Sequence, residues 1–146
     1  MEMRECFGVA FVLDGFLKVE PPDDPPLDMR FDVRRDFMAG ARDIVFIMVA
    51  TESGHIPVSL AVAESEPALL AADDVAVARL DVDFSVDRIV VSDVDGWIGG
   101  LAAPLPAGPG RYRVRGELVN HAAARAPRED EAPSPERVRI AVWPAG

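Results

Sequence analysis

Short runs of alternating apolar and polar residues, separated by Gly, Pro and Asp, recur along the whole chain. Residues 75–84 show the pattern most clearly, because every second residue from Ala76 to Phe84 is apolar, whereas Arg79, Asp81 and Asp83 lie between them. A period of two puts successive side chains on opposite faces of a β-strand. The pattern therefore predicts strands with one buried face and one polar face.

Other segments add to this set of strands. Residues 43–51, DIVFIMVAT, form an almost unbroken apolar run, which is typical of a central strand covered on both faces. Asp14-Gly15 predicts a tight hairpin between residues 5–13 and 16–20, and Glu52-Ser53-Gly54 predicts a second hairpin that leads into residues 56–62. Further strands are expected at residues 88–92, 101–105, 111–119 and 136–143, while residues 31–40 fit neither period.

Proline and alanine mark the exceptions. Residues 66–73 are rich in Ala and Leu, with Pro67 suited to a first helical turn, and they are the best helix candidate. Residues 21–28 hold four prolines and three aspartates and predict an exposed loop. Residues 121–135, rich in Ala, Pro and charge, predict a second, long mobile loop.

The expected fold is all-β: a two-sheet β-sandwich of about eight or nine mostly antiparallel strands, with at most one short helix. The 146 residues match the common size of one domain, so we expect residues 1–146 to form a single β-sandwich domain.

Charge narrows the range of partners. Twenty-five acidic residues against fifteen basic ones give a net charge of -10, which repels nucleic acid and anionic lipid, so neither is an expected partner. No uncharged run reaches the roughly 18 residues of a membrane helix, and no export signal is visible. Cys6 is the one cysteine, which fits a reducing compartment. We therefore expect a cytoplasmic protein of a bacterium with Ala-, Arg- and Asp-rich proteins.

No motif in the chain predicts a reaction. The fragment Asp93-x-Asp95-Gly96 mimics part of a calcium loop, but its flanks have strand patterns and the other ligand positions hold Val91 and Ala102. Cys6 lies in an apolar strand, and neither His55 nor His121 has a second His or Cys at ligand spacing. The prediction is a protein with no catalytic residue, no metal and no cofactor.

A binding surface is the better candidate for function. Carboxylates concentrate between residues 73 and 95, and a tryptophan among glycines follows them. Carboxylates attract a basic partner and an exposed indole anchors an interface. The candidate residues are Asp81, Asp83, Asp87, Asp93, Asp95 and Trp97. Alternatively, the carboxylates only solvate the surface or pair with Arg111, Arg113 and Arg115, and the indole folds over one end of the sandwich.

The order of these segments resembles a known family. The likeness rests on the apolar strand 43–51, the alternating pair 80–86 and 88–94, Leu101-Ala-Ala-Pro-Leu-Pro followed by Gly110-Arg-Tyr-Arg-Val-Arg, and the terminal strand. This succession resembles the competence protein J family, small acidic bacterial inhibitors of a DNA-entry nuclease. It covers residues 43–115, with an echo in residues 6–14, and the long loop at 121–135 departs from the family. The resemblance implies inhibition of a nuclease and assigns no binding residue.

Together these observations predict a non-catalytic protein-binding domain, an inhibitor or immunity-type antagonist of a basic partner such as a nuclease. The alternative is a small-molecule or Ca²⁺-binding β-sandwich with a pocket around Trp97 or residues 21–28. A homo-oligomer or a structural subunit of a larger assembly also fits the sequence.

Overall fold

A computed structural model describes residues 3–13, 15–23, 33–70, 72–126 and 133–146. The strands are β1 (Met3–Leu13), β2 (Phe16–Glu20), β3 (Val33–Arg35), β4 (Met38–Ala41), β5 (Ile44–Met48), β6 (Ser53–Ala63), β7 (Val75–Phe84), β8 (Arg88–Asp93), β9 (Gly96–Pro104), β10 (Gly110–Val119) and β11 (Arg137–Pro144), and α1 (His121–Arg125) is a short helix. The all-β prediction is confirmed. The described residues hold eleven strands rather than eight or nine, since residues 33–41, which fit neither period, form β3 and β4.

The strands form two sheets. One has five strands in the order β1-β6-β11-β10-β7, and the other has six in the order β3-β4-β5-β2-β8-β9. Within the described residues β6 and β11 run parallel, and the other strand pairs are antiparallel. The predicted two-sheet arrangement is therefore confirmed.

The core lies between the two sheets and follows the alternation in the sequence. On β7 the residues Ala78, Leu80, Val82 and Phe84 are buried, as predicted from the period of two. Strand β5 lies inside the six-stranded sheet, and its residues 44–47 are buried on both faces, as the apolar run predicts. Each strand thus contributes its apolar side to one shared core.

Each edge strand of the five-stranded sheet is hydrogen-bonded to a residue of the chain outside that sheet. At the β1 edge the backbone N–H of Phe11 donates to Oδ2 of Asp93, at 2.8 Å. At the β7 edge the N–H of Asp43 donates to the carbonyl of Asp83, at 3.0 Å. Unpaired edge groups are a template for aggregation, so these contacts protect the sandwich.

The two predicted hairpins are wrong. Strand β1 pairs with β6, whereas β2 pairs with β5 and β8 in the other sheet. Strands β5 and β6 also lie in different sheets. Gly15 has a φ of 75°, and the chain there crosses between sheets instead of folding back. The turn signals predicted pairing between strands that are neighbours in sequence, but β1, β2 and β6 pair instead with strands that are distant in sequence. Asp14 lies outside the described residues.

The predicted helix and loops also need correction. Residues 66–70 and 72–73 are not helical, because buried side chains bind their backbone groups, as described below. Within the predicted loop at 121–135, residues 121–125 form α1, where the Asp74 carboxylate accepts the N–H groups of Ala122 and Ala123. Residues 127–132 lie outside the described residues. Residues 21–23 have no regular structure, but Pro21 is buried, whereas the prediction was an exposed loop, and residues 24–28 are not described.

Gly116 tests how tightly the two sheets pack. A Cβ added there would lie 2.9 Å from Cε2 of Phe37 and 3.1 Å from Sδ of Met38. Gly116→Ala should therefore lower the free energy of unfolding by about 1–3 kcal/mol in urea denaturation, since overpacking displaces side chains. Gly99→Ala is the control, because no atom lies within 4 Å of its Cβ, and it should change stability by less than about 0.5 kcal/mol. Equal stability of the two variants would contradict this packing.

Candidate protein-binding surface

A buried charge network lies on the outer face of the five-stranded sheet. The side chains of Arg115 and Glu117 on β10 are completely buried, and Arg139 on β11 is 7% exposed. Glu117 lies opposite Arg139 in the strand register, and its Oε2 is 3.2 Å from Nη1 of Arg139 and 3.5 Å from Nη2 of Arg115. Burial lowers the pKa of Arg115, and the charge of Glu117 opposes that effect. Buried charges need such partners because desolvation is costly.

The segment that joins β6 to β7 covers this network. We call residues 64–70 and 72–74 the strap. Its Ala68 carbonyl accepts from Nη1 of Arg139, at 2.7 Å, and from Nη2 of Arg115, at 3.2 Å. The N–H of Leu70 donates to Oε1 of Glu117, at 2.8 Å. These bonds replace the intrahelical bonds predicted for residues 66–73 and hold the strap across β10 and β11.

Glu66 in the strap also resolves a repulsion in the sheet. Arg115 and Arg79 face each other across β10 and β7, an unfavourable arrangement of like charges. Oε2 of Glu66 lies 3.3 Å from Nη1 of Arg115 and 3.9 Å from Nη2 of Arg79. The strap therefore supplies a negative charge that the paired strands lack at this position.

The outer face of β1 is apolar and exposed. The exposed fraction is 70% for Phe7 and 57% for Val9, and Met3 and Leu13 on the same face are each 43% exposed. The opposing β6 residues are small or polar, as Ser59 is opposite Phe7. We call Met3, Phe7, Val9 and Leu13 the β1 row. Glu5 interrupts this row between Met3 and Phe7, whereas Phe7 and Val9 are neighbours on the face. Exposed apolar side chains that lie next to each other mark interaction sites.

A groove separates the β1 row from the strap. Phe7 and Leu70 line this groove. Phe7 on β1, Ser59 on β6 and Arg139 on β11 are paired across the three strands, and the small side chain of Ser59 leaves space between the other two. The volume of the groove is about 150 Å³. A cavity of that size accommodates a benzene ring, whereas sites for whole small molecules measure about 300–1,000 Å³. The groove thus fits one side chain better than a metabolite.

The turn between β8 and β9 adjoins the β1 edge. Asp93 is buried, and its two carboxylate oxygens accept the N–H groups of Phe11 and Asp95, both at 2.8 Å. Asp95 is exposed, and Trp97 is 52% exposed rather than folded over the sandwich. Asp93 therefore fixes the turn to β1 at Phe11, and the turn exposes a carboxylate and an indole to solvent.

The structure divides the predicted acidic residues between two places. Asp81 and Asp83 lie on β7, at the edge of the five-stranded sheet opposite β1, and Asp87 is exposed after β7. Asp81 accepts from Nε and Nη2 of Arg113, at 2.9 and 3.4 Å, which lowers the pKa of that carboxyl.

Asp83 lies 3.7 Å from Nε of Arg111. The sequence left open, as an alternative, pairing of the carboxylates with Arg111, Arg113 and Arg115. Arg111 and Arg113 do pair with the acidic strand β7, whereas Arg115 belongs to the buried charge network.

Glu136 forms a second cluster of polar side chains. This fully buried carboxylate accepts the backbone N–H groups of Ala50 and Thr51, the Thr51 hydroxyl at 2.7 Å and, at 3.1 Å, Nδ1 of His121. The Ser134 hydroxyl bonds to that of Thr51. Through Glu136 the cluster ties β11 and α1 to the chain after β5.

The remaining candidate groups are in structural positions. The Cys6 thiol points at the carbonyls of Leu60 and Ala102, at 3.7 and 3.8 Å, and burial raises its pKa. Across the described residues no cluster of three or more His, Cys, Asp or Glu is placed to hold a metal ion. No helix in the same residues is long and apolar enough to span a membrane.

Comparison with solved structures relates this architecture to two proteins. Crocagin biosynthetic gene J is 17% identical, with a TM-score of 0.64 and full coverage of both chains. ComJ from Bacillus subtilis, the inhibitor of the DNA-degrading activity of NucA, is 12% identical, with a TM-score of 0.60 over 99% of this chain and 96% of ComJ. The chain has the ComJ fold. No family model and no curated protein matches the sequence.

The resemblance to the competence protein J family is therefore confirmed, and the ComJ fold extends over nearly the whole chain rather than residues 43–115 alone. At this level of identity the likeness shows the fold. The residues that could bind a partner must be found from this chain's own surface.

Sequence reasoning missed the β1 row. The signal was present, because residues 5–13 are apolar at almost every position, with Phe7, Val9 and Leu13 alternating with Ala10 and Val12. Such a run predicts burial on both faces. In the ComJ fold β1 instead lies at the end of its sheet, and the strap covers β10 and β11 rather than β1.

Proposed function

We propose that this chain is a non-catalytic protein-binding domain that acts as an inhibitor or antagonist, and that the β1 row and the adjoining β8–β9 turn form its contact surface. The observation that carries the proposal is the row of exposed apolar side chains on a rigid strand. Because ComJ inhibits the DNA-degrading activity of NucA, a nuclease in a bacterial cytoplasm is the first partner to test.

The size and chemistry of the surface support this proposal. A stable interface buries about 800 Å² on each partner and concentrates its energy in a few aromatic anchors. Phe7 on β1 and Trp97 at the start of β9 are exposed aromatic residues, and Val9 and Leu70 are exposed apolar residues. Because the strand backbone is already ordered, binding has to order only the side chains and not the chain that carries them, which favours affinity.

Acidic residues contribute in different ways. The exposed Asp87 and Asp95, with the net charge of -10, would accelerate encounter with a basic partner. Asp81 and Asp83 share their charge with Arg113 and Arg111, so we assign them a smaller part. Asp93 acts indirectly, by holding the turn that presents Trp97.

The test compares two variants of the purified chain. The double variant Phe7→Ser, Val9→Ser should bind a partner nuclease about 100-fold more weakly than the native chain, because truncation of one or two anchors costs on the order of 3 kcal/mol. Binding is measured by calorimetry, and DNA degradation by the partner is measured alongside. Met48→Ser, at an exposed apolar position on the other sheet, is the matched control and should bind normally.

Two results would contradict parts of this proposal. Unchanged affinity of the double variant would remove the β1 row as the contact surface. If a partner binds through the β1 row but degrades no DNA, or degrades DNA equally well when bound, the proposal of nuclease inhibition is contradicted. The proposal of a protein-binding domain then still stands.

A further inference from the structure

The groove beside Phe7 has two kinds of wall. Phe7 and Leu70 provide apolar sides, with the small Ser59 between them and Arg139. Arg137, an exposed residue at the start of β11, lines the same groove. An apolar slot bordered by guanidinium groups accepts an amphipathic group, not a purely apolar one.

Arg139, which lines this groove, has one donor without a hydrogen bond. Its Nε is buried and forms an ion pair with Oε1 of Glu5 at 3.6 Å, beyond hydrogen-bond distance. A buried donor without an acceptor is unfavourable, so an incoming acceptor would be stabilised there.

The lining of the groove is basic. Arg137 and Arg139 are among its lining residues, and no Asp or Glu is among those that the structure describes there. Arg139 is partnered by Glu117 and Glu5, so Arg137 supplies the exposed positive charge. In a chain whose net charge is -10, this lining is a local exception to the acidity of the molecule.

We propose that the groove binds a large apolar side chain of a partner protein that carries a carboxylate next to it, as a chain-terminal aromatic or aliphatic residue does. The side chain lies between Phe7 and Leu70, and the carboxylate accepts from Arg137 and from Nε of Arg139. This inference rests on the proposed function and specifies the chemistry of the partner at one point of the same surface.

A small probe tests the groove without the partner. The full chain, labelled with ¹⁵N, is titrated with N-acetylphenylalanine and followed by the amide signals of Gly8, Ser59 and Val119. We expect saturable shifts with a dissociation constant of about 1 mM, as befits a fragment of this size. N-acetylphenylalanine amide, which lacks the carboxylate, should bind about tenfold more weakly, because it forgoes a charged hydrogen bond.

Variants assign the two contacts. Phe7→Ser should abolish the saturable shifts, and Arg137→Gln should reduce the affinity for N-acetylphenylalanine to that for its amide. Arg88→Gln, an exposed arginine on the other sheet, is the control and should leave both affinities unchanged. Phe7 and Arg137 are both exposed, so the dispersed spectrum of a folded chain should persist in each variant.

Equal affinity for the acid and the amide would overturn the carboxylate contact, and absence of saturable shifts at the groove would overturn the site. Loss of partner binding in the Phe7 and Val9 double variant, with no probe binding to the native chain, would sink this inference while the proposed function stands. If the probe binds to the native chain but the double variant keeps its affinity for the partner, the groove stands as a binding site and the β1 row falls as the contact surface for the partner.

Discussion

Replacing Glu117 with alanine is expected to lower the free energy of unfolding by about 3–5 kcal/mol, because two buried guanidinium groups lose their shared carboxylate. Arg115 is completely buried and Arg139 is 7% exposed, so water cannot replace that partner readily. Urea denaturation followed by fluorescence measures the loss. For a domain of this size the melting temperature should fall by about 10 °C.

Two further variants show whether burial causes the effect. Glu64→Ala removes an exposed glutamate from the same strap and should change stability by less than about 0.5 kcal/mol. Glu117→Gln should cost less than the alanine variant, since its amide oxygen can still accept the N–H of Leu70. A loss below about 1 kcal/mol for Glu117→Ala would mean that the network does not stabilise the fold as described.

Replacing Glu136 with alanine is the second large effect that we expect. The substitution leaves the N–H groups of Ala50 and Thr51 without their acceptor and removes a partner from the Thr51 hydroxyl and from His121. Thr51 is completely buried, and each buried donor left unpaired costs about 1–3 kcal/mol. The free energy of unfolding should therefore fall by about 3 kcal/mol or more, as measured by urea denaturation.

Hydrogen exchange identifies where this loss acts. The amides of Ala50 and Thr51 should exchange faster in Glu136→Ala, because both donate to that carboxylate, while amides of β10 should keep their relative protection. Thr51→Val removes only the hydroxyl and should cost about 1 kcal/mol. If the Thr51 amide stayed as protected as in the native chain, Glu136 would not be the group that holds this connection.

The strands that alternate were the easiest elements to predict. The inward positions of β7 and β11, the buried run in β5 and the outward arginines of β10 follow from the period of two and from hydrophobicity, which are local properties. The pairing of Arg111 and Arg113 with acidic β7 was foreseen as an alternative, since opposite charges on neighbouring strands attract.

The elements that failed depend on distant residues. The strap has a helical composition, but Arg115, Arg139 and Glu117 bind its backbone from strands far along the chain. Asp14-Gly15 has the composition of a hairpin turn, yet β1 finds its partner in β6. Local propensities are small compared with the cost of leaving a buried charge or a strand edge unpaired.

Composition and periodicity were enough to predict an acidic β-sandwich and the buried positions of β5 and β7, and they reveal no recognisable catalytic motif. Which faces remain exposed was decided by tertiary structure alone. The carboxylates at Asp81, Asp83, Asp87, Asp93 and Asp95 look like one cluster in sequence. The fold places Asp81 and Asp83 on the edge strand β7, whereas Asp93 contacts β1 at the opposite edge of the five-stranded sheet. Phe7 and Val9 look like core residues, but β1 is an edge strand that the strap leaves open. Exposure depends on strand order, which long-range pairing determines.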